Sequence, residues 1–447
     1  MEYMMASWSQ SRKESVILFL IGCFSMTQVN LIGYIGISEL VMCVMAPYLF
    51  AQNYHRIRHH GFMPVLVLGF VWMMSAFVSD RINGSHMQIL LRGIATPYTV
   101  IATVICLHAL LYKNVVAIKW FLLGVAISSI ICIFVFQPGT AAIRGNEEAM
   151  AAVLNYKLFW VSRAMLWLML VVQIAYLRVP IAFTLGITGL LAYFSLIEGG
   201  RSSFLCVSIS FLIMLVGGRR VHSMNRIKRH FGIAVAIGIL ALLVINGIYR
   251  VAVTSEIMGE EELRKYEFQT QGGSGMLKLL MAGRGDFFIG LTAVMDRPLL
   301  GHGSWALDVM GYQEKFIAKY GNTEDLELYM KRRFRNDRTI PAHSHIVGFW
   351  LWHGFAGGLF WFYVLCEILM TIKKRLSVVP ELFGYFALAI PQAIWAILFS
   401  PFGMRTSMCC LIVTCLIVKA IANGRIKFIP NLTPRKNCNL SRGQVRS

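Results

Sequence analysis

Acid is scarce in this chain. Of its 447 residues, 22 are Asp or Glu, and charged residues of both signs make up only 14%. A soluble domain carries about 25% charged residues, so the chain lacks the surface that keeps a fold in water. Familiar enzyme signatures are missing too. There is no GxxxxGK[ST] phosphate loop, no GxGxxG on a strand-helix unit, no HExxH and no GxSxG, and the chain does not read as an ATP-driven pump. The ten cysteines show neither metal-ligand spacing nor a disulfide framework. All but Cys438 lie in apolar runs and read as small packing residues. No cleavage site follows a short apolar region at the start, so no removable signal peptide is expected.

What is present is apolar surface. Hydrophobic residues make up 57% of the chain, and the mean hydropathy is +0.62. Length alone would allow two or three soluble domains, but this composition specifies an all-α polytopic membrane protein. A spanning helix needs about 20 apolar residues. Such runs centre near 15–33, 35–53, 61–79, 87–111, 115–137, 156–177, 180–198, 202–217, 231–250, 344–370, 380–399 and 406–423, giving about twelve transmembrane helices. The first two are separated only by "QVNLIGYIG".

The 42 Lys and Arg against 22 acids give a net charge of +20. In a soluble protein that excess would suggest nucleic acid. Here its placement reports topology. Arg12, Lys13, Arg56, Arg58, Lys113, Arg178, the Arg219–Arg229 cluster, Lys373 to Arg375 and the tail all fall on one side of a twelve-span chain. Cytoplasmic loops collect Lys and Arg, which puts both termini in the cytoplasm and predicts no nucleic-acid partner. The expected organisation is spans one to nine over 1–250, a large external loop over 251–342, spans ten to twelve over 343–423 and a basic cytoplasmic tail over 424–447. The loop holds 13 acids and 12 bases and is nearly neutral.

Within that loop, "TSEIMGEEELRKYEF" reads as a charged helix and "QTQGGSGM" as a flexible break. "MLKLLMAGRGDFFIGLTAVMD" is amphipathic and stops at "RPLLGHG", with Pro298, Gly301 and Gly303. "NTEDLELYMKRRFRNDR" reads as a further helix, acidic at its start and basic at its end. Loops of this length are usually functional.

Four signals cluster near the external face. In "EGGRSSF", Arg201 stands at a helix start after two glycines, a placement suited to holding an anion such as phosphate. In "AGRGDFF", Arg284 is flanked by glycines, so a ligand could approach its backbone closely. In "IPAHSHIVGFWLWHGFAGG", His343 and His345 lie where the loop returns to the membrane, and a histidine there can act as a general base near neutral pH. Two residues apart, they would point about 200° away from each other on a helix. A two-histidine metal site is not expected, because no third ligand stands at helical spacing. Finally, Arg92, Arg163 and Arg405 lie inside or beside apolar runs, where ionisable residues are costly and often functional, although snorkelling to the headgroups also accounts for them.

In order and topology these motifs resemble the O-antigen ligase and polysaccharide polymerase superfamily, integral membrane glycosyltransferases of the GT-C type. The matched stretch runs from about Gly199 to Gly358, and the hydropathy plan agrees over nearly the whole chain. Arg201 matches the arginine of the family's small external loop. Arg284 matches that of the large loop, with Phe288 where the family often has Trp. Pro298, Gly301 and Gly303 match its turn. His343 matches the catalytic histidine, because Gly354 and Gly357 follow at the expected spacing. Ser344 stands where the family usually has Asn, which keeps His345 as a second candidate base.

The resemblance implies transfer of a glycan from an undecaprenyl diphosphate carrier to a glycan or lipid A-core acceptor, at the periplasmic face of a bacterial inner membrane. It implies no metal and no cofactor. Arg201 and Arg284 would neutralise the diphosphate, helped by Arg92 and Arg405. His343 would deprotonate the acceptor hydroxyl, and Gly301 and Gly303 would line the substrate site. Ligase and polymerase share this donor chemistry. A lipid-linked oligosaccharide flippase is the main alternative, although such transporters show internal symmetry that this chain lacks. A structural scaffold for an envelope complex is a third.

Overall fold

In the computed structural model of the chain, the described residues are 2–30, 34–135, 161, 163–172, 174, 183–184, 186–191, 201–217, 251, 254–255, 285–320, 339–341, 343–375, 378–400 and 405–427. They are mostly helical, as expected of a membrane protein. Among the described residues, six helices are long and apolar enough to cross a membrane: Met63–Ile82, Met87–Leu111, Val115–Cys132, Phe355–Lys374, Pro380–Phe399 and Arg405–Ala422. The expected span at 156–177 is described in part, with an apolar helix over Arg163–Val172, whereas those at 180–198 and 231–250 lie largely or wholly outside the described residues, as do the loop helices expected over 254–268 and 322–338.

The order begins with α1 (Glu2–Cys23) and a short antiparallel hairpin of β1 (Gln28–Asn30) and β2 (Tyr34–Gly36), with Val29 opposite Ile35. The apolar run expected to span 15–33 therefore ends early, where Thr27, Gln28 and Asn30 interrupt it. There follow α2 (Ile37–His60), α3 (Met63–Ile82), α4 (Met87–Leu111) and α5 (Ile118–Val135), and later α6 (Arg201–Gly217). The loop contributes α7 (Gly285–Asp296) and α8 (Tyr312–Tyr320). The chain then runs through α9 (His345–His353), α10 (Phe355–Lys374), α11 (Phe383–Phe399) and α12 (Arg405–Ala422).

Helix α4 is central and packs on α2, α3 and α12, while α3 also packs on α10. Its buried side includes Val100, Val104, Leu107 and Leu111, set against Leu411 and Val413 of α12 in one continuous core. The opposite faces of α3 and α10 carry exposed Val67, Phe70, Met74, Phe362 and Leu369. A helix that is apolar all round in this way is at home in lipid.

The run 344–370 reads as one span but forms two helices. Gly354, at φ 73°, ends α9 and begins α10. A Cβ on Gly354 would fall on the Leu299 carbonyl oxygen, and the Phe355 N–H donates to that oxygen at 3.1 Å. The loop thus inserts its backbone into the helix break. Broken helices at membrane depth are tolerated where protein groups take over the freed backbone bonds, and here the 297–303 turn does so.

The bundle has two chemically distinct ends. At one, Glu367 of α10 pairs with Arg375 at 3.0 Å and with Lys419 of α12, among a concentration of bases. At the other, the end of α3, the starts of α4, α10 and α12 and the end of α11 meet the loop.

Candidate functional site

Helix α7 brings two of the sequence motifs together. Its inner face, Ile289, Ala293 and Val294, packs with Ile340 and with Val347 and Leu351 of α9. This places Asp286, in the first turn of α7, beside His343, with Nδ1 of the imidazole 2.6 Å from Oδ2 of the carboxylate. Both side chains reach solvent, at 49% and 41% exposure. A carboxylate on one ring nitrogen fixes the tautomer and places the proton on that nitrogen. Asp286 and His343, 57 residues apart in sequence, therefore meet at the start of α7.

Ser344 separates the two candidate histidines. Its hydroxyl oxygen accepts from the Val347 N–H at 3.1 Å as the N-cap of α9, and its O–H donates to the Ile397 carbonyl of α11 at 3.0 Å. His343 therefore lies outside the helix, facing α7. His345 is the first helical residue and is buried edge-on against Trp361, with ring centroids 4.6 Å apart. The structure gives the two rings opposite environments and makes His343 the accessible one.

The arginines divide. Arg201 is the first residue of α6, which packs on α11. Its side chain, like the whole of Arg284, lies outside the described residues. Arg92 and Arg405 stand at the same end of the bundle, and the charge of Arg405 acts on that of Arg92. Arg405 pairs with the buried Glu39 of α2 at 2.9 Å, and Glu39 also accepts from the Gly36 N–H and the Thr406 hydroxyl. Among the described residues, no carboxylate lies within ion-pair distance of Arg92. Its guanidinium instead lies 4.0 Å over the ring of Trp305, which stacks on Trp352. Trp305 adopts φ 50°, the one positive φ among described non-glycine residues. Strained backbone of this kind concentrates at functional sites.

Gly301 and Gly303 do not line an open surface. Both are buried and adopt positive φ, and a Cβ on Gly301 would meet the Gly354 nitrogen at 2.6 Å. The His302 and Gly303 N–H groups donate to the Leu351 and Trp352 carbonyls at 2.7 and 3.0 Å. Their place is explained by chain packing, which leaves a substrate contact to be argued on other grounds.

A second polar cluster escaped the sequence reading. Asp80 of α3, fully buried, accepts from the Ser304 N–H at 2.6 Å, the Ser304 hydroxyl at 2.7 Å and the Ser85 hydroxyl at 2.8 Å. Ser304 is also 2.8 Å from Nε2 of buried His353, and the Trp72 indole N–H donates to His353 Nδ1 at 2.8 Å. Asp, Ser and His in sequence invite comparison with a hydrolytic triad, but the donors forbid it. Indole N–H can only donate, so Nδ1 is the acceptor and the ring proton sits on Nε2. Nε2–H then donates to Ser304, and Ser304 donates to Asp80. The histidine has no lone pair to activate the serine. The cluster fastens the loop to α3, aided by Ser79 donating to the Trp352 carbonyl and Arg297 donating to Asn83. The sequence signal was an acid and a histidine inside apolar runs, "VSDRING" and "WLWHGF".

Among the described residues, no group of three His, Cys, Asp or Glu side chains is placed to hold a metal ion. No family model and no curated protein matches the chain.

Proposed function

We propose that the chain is a membrane glycosyltransferase that moves or polymerises glycans from isoprenoid diphosphate carriers, acting at the loop-covered end of the bundle. The observation that carries this reading is the His343–Asp286 contact. It joins two motifs of the family resemblance at one solvent-accessible point, with the chemistry of a general base.

In the proposed reaction the acceptor hydroxyl oxygen attacks the anomeric carbon of the donor sugar. The bond from that carbon to the diphosphate oxygen breaks, and the lipid diphosphate leaves with the electron pair. The acceptor proton passes to Nε2 of His343, whose Nδ1–H is held by Asp286. Geometry of this kind is what a positioned base requires. The leaving diphosphate needs cationic partners. Arginine suits it because the planar fork pairs with phosphate oxygens and keeps its charge. Arg92, which has no carboxylate partner among the described residues and sits on an indole face, is the best-placed described candidate, with Arg405 behind it. Arg201 and Arg284 are assigned the same role on the family resemblance. The inner membrane, the periplasmic side and cytoplasmic termini belong to this proposal as well.

The test is turnover of an undecaprenyl diphosphate glycan by purified protein in nanodiscs, with and without a lipid A-core acceptor. Glycan extension without that acceptor identifies a polymerase, and transfer only in its presence identifies a ligase. No product in either arm, with correctly folded protein, would overturn the proposal and favour a transporter.

A further inference from the structure

The last turn of α7 and the segment that joins it to α8 display apolar side chains where a water-exposed loop would carry polar ones. Met295 is 73% exposed, Leu299 74% and Val309 86%, and Leu300, Leu307 and Met310 are exposed as well. Single exposed apolar residues are ordinary, but several within one short segment mark an interaction surface.

Its attachments say which surface it meets. The Leu299 carbonyl is bonded to Phe355 at the start of α10, and Arg297 to Asn83 at the end of α3 (2.6 Å). Trp305 lies under Arg92 near the start of α4. Among the exposed residues at those same helix ends are the large apolar Phe355, Ile82, Met87 and Leu91. The apolar display of 295–310 is therefore attached to the lipid-facing ends of three helices able to span a membrane. Tryptophan and arginine flank it, as is usual at a membrane-water interface.

We infer that residues 295–310 form a membrane-docking surface that inserts into the phospholipid leaflet at the loop end of the bundle. Segments that lie in an interface in this way bury their apolar side about 5–10 Å into the headgroup and acyl boundary. The loop is then pinned twice, by the buried Asp80 cluster and by lipid. This inference stands on exposure and attachment alone and does not depend on the reaction proposed above.

The experiment uses the full-length protein in nanodiscs of phosphatidylethanolamine and phosphatidylglycerol. An environment-sensitive fluorophore is attached at Leu299→Cys, Val309→Cys and, as a control on exposed α8, Ala318→Cys. The unsubstituted protein is labelled in parallel to subtract native thiols. Insertion predicts blue-shifted emission at 299 and 309, strong quenching there by lipid carrying a doxyl group at carbon 5, and protection from aqueous iodide. The control should show the reverse. Iodide quenching at 299 and 309 equal to that at 318 would overturn the inference. So would protection from both quenchers, which would mean that protein, such as a second copy of this chain, covers the patch. Gel-filtration profiles matching the parent verify folding, and Val309→Ser labelled at 299 supplies an independent readout if 309 tolerates no label.

Discussion

Two histidines ten residues apart in "AHSHIVGFWLWH", His343 and His353, meet a carboxylate by opposite routes. His343 touches Asp286 directly, at the surface, on an element brought in from the loop. His353 reaches Asp80 through Ser304, with every member of the relay buried. The same side-chain chemistry serves different ends because of access. In the first pair both side chains reach solvent, which is the access that the proposed base requires. In the second both ring nitrogens are committed, and the network can only hold things in place. A buried polar network that is fully satisfied rigidifies its surroundings, and one that is partly stripped becomes a liability.

The sharpest way to break that contrast is to remove each histidine's function in turn. His343→Ala is expected to lower glycan transfer by about 10²–10⁴-fold, the usual worth of a positioned acid or base. Thermal unfolding should be nearly unchanged, since exposed substitutions usually stay within about 0.5 kcal/mol. Comparable activity in the variant would move chemistry away from this pair. Asp80→Ala should do the converse. It strands the donors of Ser304 and Ser85 in a buried setting, at about 1–3 kcal/mol for each. A clear fall in unfolding temperature is expected, read by fluorescence-detected size exclusion after heating.

A smaller effect is predicted for Asp286→Asn, which keeps the shape and loses the charge that holds the imidazole. Mispositioning of a reacting group costs about 10²-fold, so turnover should fall less than in His343→Ala, with the acceptor KM little changed. The smallest expected effect concerns His302, which is partly buried and bonded through Nε2 to the Ala293 carbonyl at 2.8 Å. Burial lowers its pKa, and the Ala293 bond opposes this in part. The unfolded chain therefore takes up the proton first. This contribution to stability is fully present above the unfolded pKa of about 6.5 and is lost as pH falls toward the lower folded value. Wild type and His302→Asn compared by thermal unfolding between pH 7.5 and 5.5 should converge as pH drops.

How much of this could be read beforehand follows from the range of the interactions. The runs at 87–111, 380–399 and 406–423 became helices α4, α11 and α12 nearly as drawn, because apolar length is a local property. The break at Gly354 was invisible to hydropathy, since "WHGFAGG" stays apolar through it and the cause is a carbonyl from Leu299. Asp80 gave no signal of its role in the sequence, because its partner Ser304 lies 224 residues away. The choice between His343 and His345 turned on Ser344 acting as a helix cap, which fixes where the helix begins. Arg92 and Arg405 were legible as misplaced charges, but only the fold shows that Glu39 occupies one and an indole the other. Gly301 and Gly303 were legible as turn glycines, but the Leu351 and Trp352 carbonyls that their backbone approaches belong to α9 and lie some fifty residues further on.

The seam between the turn and the helix break is made almost wholly of main chain. Leu299 oxygen to Phe355 nitrogen, His302 nitrogen to Leu351 oxygen and Gly303 nitrogen to Trp352 oxygen are bonds that no substitution short of proline deletes. A saturation scan across this seam should therefore look nearly silent apart from proline at the donor positions, with sharp intolerance at Gly301, Gly303 and Gly354. Such a profile would hide the joint from any survey that weighs residues by what their side chains do.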